Sequence, residues 1–325
     1  MIETEESTPE LSENSLKAMY FNTAVLGTLS FIAAYILVYI GYSVITGLFG
    51  LFFDMELKWF YYHLKITPSE EWMWTKKRIV IIFTAGPVAG LIIAFISRIL
   101  YATVLKHKDN ILRTIVFWTY FHGIGFFFGT AIVGVLMNLS DLLDTNRGFG
   151  LTFYFLAFSN NWQIFISAIS IIAMVIVGLM SYQFAIKTSL SRRLFKGGPK
   201  YRLRFLLNAT TIPWFVGSLI ILALQYPNYG VYYTMYFPVI GLMMVPILSL
   251  YNMRVNSTSV KTDKTSQVRP RLSLLITVLA LIIFYRVILG FGFIQLNSKE
   301  EIGVEIPQTE FEEVAPEAPK PDNLR

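Results

Sequence analysis

The chain has 325 residues and a net charge of +6; it is 54% hydrophobic, only 15% charged, and contains no cysteine. A soluble domain carries about 25% charged residues, so a soluble globular protein is excluded, as are disulfides, thiolate metal sites and thiol catalysis. In so apolar a chain the excess of lysine and arginine reports membrane orientation rather than nucleic-acid binding.

Residues 1–18 are acidic and polar, "MIETEESTPELSENSLKA", with no basic segment ahead of the first apolar run. They read as a disordered tail before an uncleaved signal anchor. Residues 19–295 carry apolar runs near Tyr20–Leu48, Ile79–Leu105, Ile111–Leu139, Trp162–Ile186, Phe205–Gln225, Val231–Tyr251 and Leu272–Ile294. Each exceeds the ~20 residues that cross ~30 Å of hydrocarbon. The expected fold is therefore all-α, a polytopic integral membrane protein with about seven transmembrane helices. Residues 296–325 are acidic and Pro-rich and should form a flexible extension.

Between the first two runs, "LKWFYYHLKI" mixes aromatics, lysines and a histidine as an interfacial segment does. Sixteen lysines and arginines fall on the side of the N-terminus and nine on the other, which predicts the N-terminus inside and the C-terminus outside a bacterial cytoplasmic membrane. Lys58, Lys65, Lys76, Lys77 and Arg78 dissent. They point to a re-entrant or interfacial stretch at Gly41–Asp54, or to a different span count.

The second run contains "FTAGPVAGLIIAFISRIL". Gly86, Gly90 and Ala94 lie four apart on one helix face, a small-residue ridge for close backbone approach. Arg98 continues that face as an interfacial anchor. The third run contains "FHGIGFFFGTAIVG", in which His122, Gly125 and Gly129 share a face. At 1.5 Å per residue the two runs match in depth. Gly86 falls level with Gly129, Gly90 with Gly125, and Ala94 with His122. "GFGLTFYFLAF" at 148–158 is too short to span and belongs at the outer interface or in a re-entrant piece.

His122 is an ionisable group at bilayer depth, a functional candidate by default. Arg286 in the last run and Asn208 in the fifth complete the candidate polar site. The basic loop "RRLFKGGPKYRLR" offers Arg192, Arg193, Lys196 and Lys200 to anionic lipid. The only histidines are His63, His107 and His122, and no pair has the spacing of a zinc protease. No carboxylate pair lies within a span, and no serine has an oriented base. No catalytic residue, metal or cofactor is expected.

The order of elements from Tyr35 to Ser140 resembles the core of the site-2 protease family. Ala85-Gly86-Pro87 matches part of the family's second signature, with Gly90 where an asparagine is expected. The first span, "ILVYIGYSVITGLFG", lacks the HExxH motif. The resemblance implies a degenerate, metal-free relative and carries over no catalytic residue. Three functions remain: a non-catalytic scaffold or assembly partner with a membrane-protein partner, a proton-coupled permease using His122 and Arg286, or a protease-like regulator that binds transmembrane substrates.

Overall fold

The computed structural model describes residues 13–68, 70, 74–105, 110–142, 147–188, 198–227, 231–253 and 272–295. The long tail assigned to 296–325, residues 1–12, and Arg192, Arg193 and Lys196 lie outside the described residues. Helix α1 (Glu13–Phe52) starts inside the segment read as the N-terminal tail.

The fold is an all-α polytopic bundle. Six helices among the described residues are long and apolar enough to cross a membrane: Leu16–Phe52, Lys76–Ala102, Ile111–Leu139, Asn160–Ile186, Pro199–Gln225 and Leu272–Phe291. The elements after α1 are strands β1 (Met55–Trp59) and β2 (Leu64–Pro68), α2 (Lys76–Ala102), and α3 (Asn110–Ile124), which runs on through a π-turn at Gly125–Gly129 into α4 (Thr130–Leu139). Next come the short α5 (Phe149–Phe155), α6 (Asn160–Lys187), and α7 (Pro199–Leu206), joined by a second π-turn at Leu207–Thr211 to α8 (Ile212–Gln225). The last described elements are α9 (Val231–Ser249), α10 (Leu272–Ile283), a third π-turn at Phe284–Ile288, a 3-10 turn, and β3 (Phe293–Gln295).

Helix α1 is the axis of the bundle. From Ser30 to Tyr39 nearly every side chain is buried, with Leu37 the one well-exposed exception. A helix that is apolar all round belongs inside, and α2, α3, α8 and α10 pack around it. Helix α6 instead packs on α9 and turns Ile164, Ile172 and Met180 outward. Close crossings occur where side chains are missing. A Cβ on Gly178 would lie 2.5 Å from the Met243 carbonyl oxygen of α9.

Residues 55–68 form a β-hairpin where an interfacial segment was expected. Buried Met55 and Leu57 alternate with exposed Glu56 and Lys58, the period of a half-buried strand. The register is Lys58 opposite Lys65 and, on the other edge of β1, Lys58 opposite Ile294 of β3, giving the order β2-β1-β3. Gly292, at φ 72°, makes the turn that brings β3 back.

This sheet bears on the number of crossings. Strand β1 follows the first span and β3 follows the last, so both spans end on one side. Six alternating crossings would return the chain to the starting side; α9, apolar and 19 residues long, supplies the seventh. The re-entrant stretch expected at Gly41–Asp54 is instead continuous helix as far as Phe52, because nothing in that run interrupts the backbone hydrogen bonds. Lys58 and Lys65 stand exposed on the hairpin, and Lys76 opens α2 at the same end. Helix α5 is the short piece expected at 148–158 and packs against α2 and α4.

Candidate functional site

The small-residue ridge divides among three neighbours. Spans two and three do meet at Gly90, where a Cβ would lie 3.1 Å from the Gly123 carbonyl oxygen and 2.9 Å from Phe126 Cβ. A Cβ on Gly123 would lie 2.9 Å from both Cβ and N of Ala94. Gly86, however, faces Tyr42 and Thr46 of α1, not Gly129. Gly125 faces Tyr236 and Ile240 of α9, and Gly129 also faces Tyr236. The expected pairing of Gly90 with Gly125 and of Gly86 with Gly129 is thus corrected. The π-turn adds a residue to one turn at Gly125–Gly129 and rotates the face beyond it. The partner of Gly90 and Ala94 is Gly123, the residue after His122.

The three polar candidates stay apart. His122 is fully buried at the bundle centre. Its ring faces protein, as expected, 4.4 Å from Phe31 and 5.5 Å, edge-on, from Tyr35, both on α1. Neither ring nitrogen has a hydrogen-bond partner; the Phe31 backbone approaches without reaching bonding geometry. Asn208 donates 2.8 Å to the Arg204 carbonyl of its own helix. Arg286 is not deep in the last span. It donates 2.6 Å to the Tyr226 carbonyl at the end of α8, with its guanidinium 4.2 Å above the Tyr61 ring of the hairpin. Arg98 is exposed and stacks on Phe184, 4.7 Å from the ring centre. Lys200 is exposed at the start of α7.

Each polar candidate nonetheless sits in or beside a π-turn. Asn208 and Arg286 lie within theirs, and His122 precedes Gly125–Gly129 by three residues. Single π-turns interrupt the helical ladder and recur at functional positions.

Around His122 the helices assemble a polar centre that the sequence reading missed. Gln225 of α8, fully buried, donates 2.9 Å to the Tyr35 hydroxyl and lies 3.4 Å from that of Tyr285. Tyr236 of α9 donates 3.4 Å to the His122 carbonyl. Five spans therefore converge on one spot. Buried there or one turn away are polar atoms with no partner: both nitrogens of His122, Gln225 Oε1, Ser30 Oγ and Trp118 Nε1. The available signal was tyrosine within apolar runs, at Tyr35 and at Tyr285. Rings connect this centre to the hairpin: Tyr35 to Tyr39 at 6.3 Å, Tyr39 to Tyr285 at 5.5 Å, and Tyr285 to Tyr61 at 6.1 Å.

The centre can accept and donate hydrogen bonds, but it holds no nucleophile beside a base. Among the described residues no three histidine, aspartate or glutamate side chains gather as metal ligands. Outside the spans, burial first, then Arg147 and Lys65, lower the pKa of His63 from 6.5 to about 4, so His63 adds no charge to the hairpin at neutral pH. The fold and this centre define an integral multi-pass membrane protein with a polar core. No family model matches the chain, and no curated protein or solved structure is similar to it.

Proposed function

We propose that the chain is a non-catalytic scaffold or assembly partner in a bacterial inner membrane, with its N-terminus inside and its C-terminus outside. The observation that carries this reading is the closure of the centre. His122, Tyr35, Trp118 and Tyr285 have no exposed surface, and aromatic rings pack against one another from α1 to α9. A permease has to bring its protonatable group to water from each side in turn; this packing keeps it dry. The lysine and arginine bias supports the orientation. An apolar groove of about 600 Å³ between α1 and α2, floored by Gly41, Ala85 and Ala89, offers a partner helix close backbone approach.

A photo-crosslinking residue at Val88 in the groove should give one discrete adduct with another membrane protein, and the same probe at Ile172 on α6 should give none. Equal, diffuse labelling at both positions would sink the reading. A protease-like regulator of transmembrane substrates would use the same groove, and its adducts would be many. The permease reading is favoured by one observation, the partnerless polar atoms around His122. A pH-driven flux in liposomes that His122→Phe abolishes would establish it instead.

A further inference from the structure

Arg286 borders an open cavity of about 430 Å³ at the hairpin end of the bundle. Phe60, Tyr61, Tyr62 and Gly290 line it. One donor of the guanidinium is held by the Tyr226 carbonyl and its face by the Tyr61 ring. Arginine carries five N–H donors in a fixed fork, so most remain for a ligand. Neither Arg286 nor Lys58 is within ion-pair distance of a carboxylate among the described residues. Lys58 lies nearby, its ammonium 5.3 Å from the centre of the Phe60 ring that lines the cavity. A guanidinium held in place on the cavity wall, with a second cation over Phe60, fits a phosphate, which a planar fork binds through paired hydrogen bonds.

The surroundings narrow the source of that phosphate. Arg286 lies level with the end of α8 and within the last turn and a half of the final span, near its end. From the cavity, exposed Val287, Ile283, Leu279 and Ile276 descend along the last span. Eleven residues of helix cover roughly 16 Å, about half the hydrocarbon thickness and the reach of one acyl chain. The cavity and the slope beneath it therefore match an amphiphile with an anionic head. We infer that the cavity beside Arg286 binds the phosphate headgroup of an anionic membrane lipid. This site is separate from the basic loop before α7 and does not depend on the scaffold reading.

The test uses the full chain in nanodiscs of equal parts phosphatidylglycerol and phosphatidylcholine, with retained lipid counted by native mass spectrometry. The wild type should keep one phosphatidylglycerol in preference to phosphatidylcholine. Arg286→Gln should bind it roughly tenfold more weakly, since a hydrogen bond to a charged group is worth about that factor. Gly290→Phe is the second variant. A Cβ there meets nothing within 4 Å, so the backbone accepts a side chain whose ring enters the cavity that Gly290 lines. It should lose the lipid with its thermal midpoint unchanged, which keeps the test decisive if Arg286→Gln does not fold. Equal retention of phosphatidylcholine, undiminished phosphatidylglycerol on Gly290→Phe, or displacement by an equal concentration of free glycerol phosphate would each overturn the assignment.

Discussion

His122 and Gln225 occupy the same buried centre, yet their replacements should behave oppositely. The nitrogens of His122 have no partners, so removing them strands nothing. His122→Phe keeps a ring against Phe31 and Tyr35, and swapping a partnerless polar group for an apolar one of like shape is close to neutral. The variant should stay within about 1 kcal/mol of the wild type, or gain stability. Gln225→Leu removes the donor to the Tyr35 hydroxyl, which has no exposed surface. Losing that buried hydrogen bond should cost about 0.5–1.5 kcal/mol. Thermal unfolding of both variants in one detergent compares them directly. A large loss for His122→Phe beside a negligible one for Gln225→Leu would show that the histidine, and not the glutamine, holds the centre together.

At the scale of helices, the crossing of α2 and α3 depends on Gly123. A Cβ there would press on both backbone and side chain of Ala94 at 2.9 Å, and neither can give way within a helix pair. Gly123→Ala should destabilise the protein by about 1–3 kcal/mol, the range for overpacking. Gly129→Ala is the contrast, because its nearest neighbours stand 3.6 Å away and alanine favours helix by up to ~1 kcal/mol. It should be neutral or stabilising, and chemical unfolding of the pair reads the difference; equal losses would refute the crossing geometry. The same residues mark where the sequence was legible. Run length and hydropathy gave the spans, and four-residue spacing correctly put Gly90 and Ala94 against the third span. The spacing rule then failed beyond Gly125, because it assumes an unbroken 3.6-residue period and the chain inserts a π-turn there. The hairpin was hidden for a related reason. Five residues of alternation in "MELKW" are too few to stand out beside aromatic interfacial composition. The polar centre was invisible because Tyr35, His122, Gln225 and Tyr285 come from four helices that no local pattern relates.

For the molecule as a whole, the consequential contact joins its two ends. Strand β1 hangs from the first span, α1, and β3 from the last, and their pairing ties the last span to the axis of the bundle. That closure requires an odd number of crossings, so it ties the sheet to α9, which carries Pro238 and Pro246 and would otherwise be the weakest span to assign. Neighbouring helices that wrap a proline-containing helix can satisfy the backbone groups it frees. Here α6 and the π-turn of the third span pack on α9, and Trp214 Nε1 donates 2.9 Å to the carbonyl of Phe237, the residue before Pro238. Because the chain has no cysteine of its own, the closure can be tested with introduced pairs. Lys58 and Ile294 face each other across the antiparallel β1–β3 ladder. Residues directly opposite on such strands have Cα atoms about 4.5–5.5 Å apart, within the span of a disulfide. The double variant Lys58→Cys, Ile294→Cys should therefore oxidise in native membranes to a faster-migrating, intramolecularly linked species. Lys58→Cys with Leu272→Cys should not, since Leu272 opens the last span about 30 Å of helix away on the opposite side. Linkage of the second pair and not the first would mean that the last span runs the other way and that α9 does not cross.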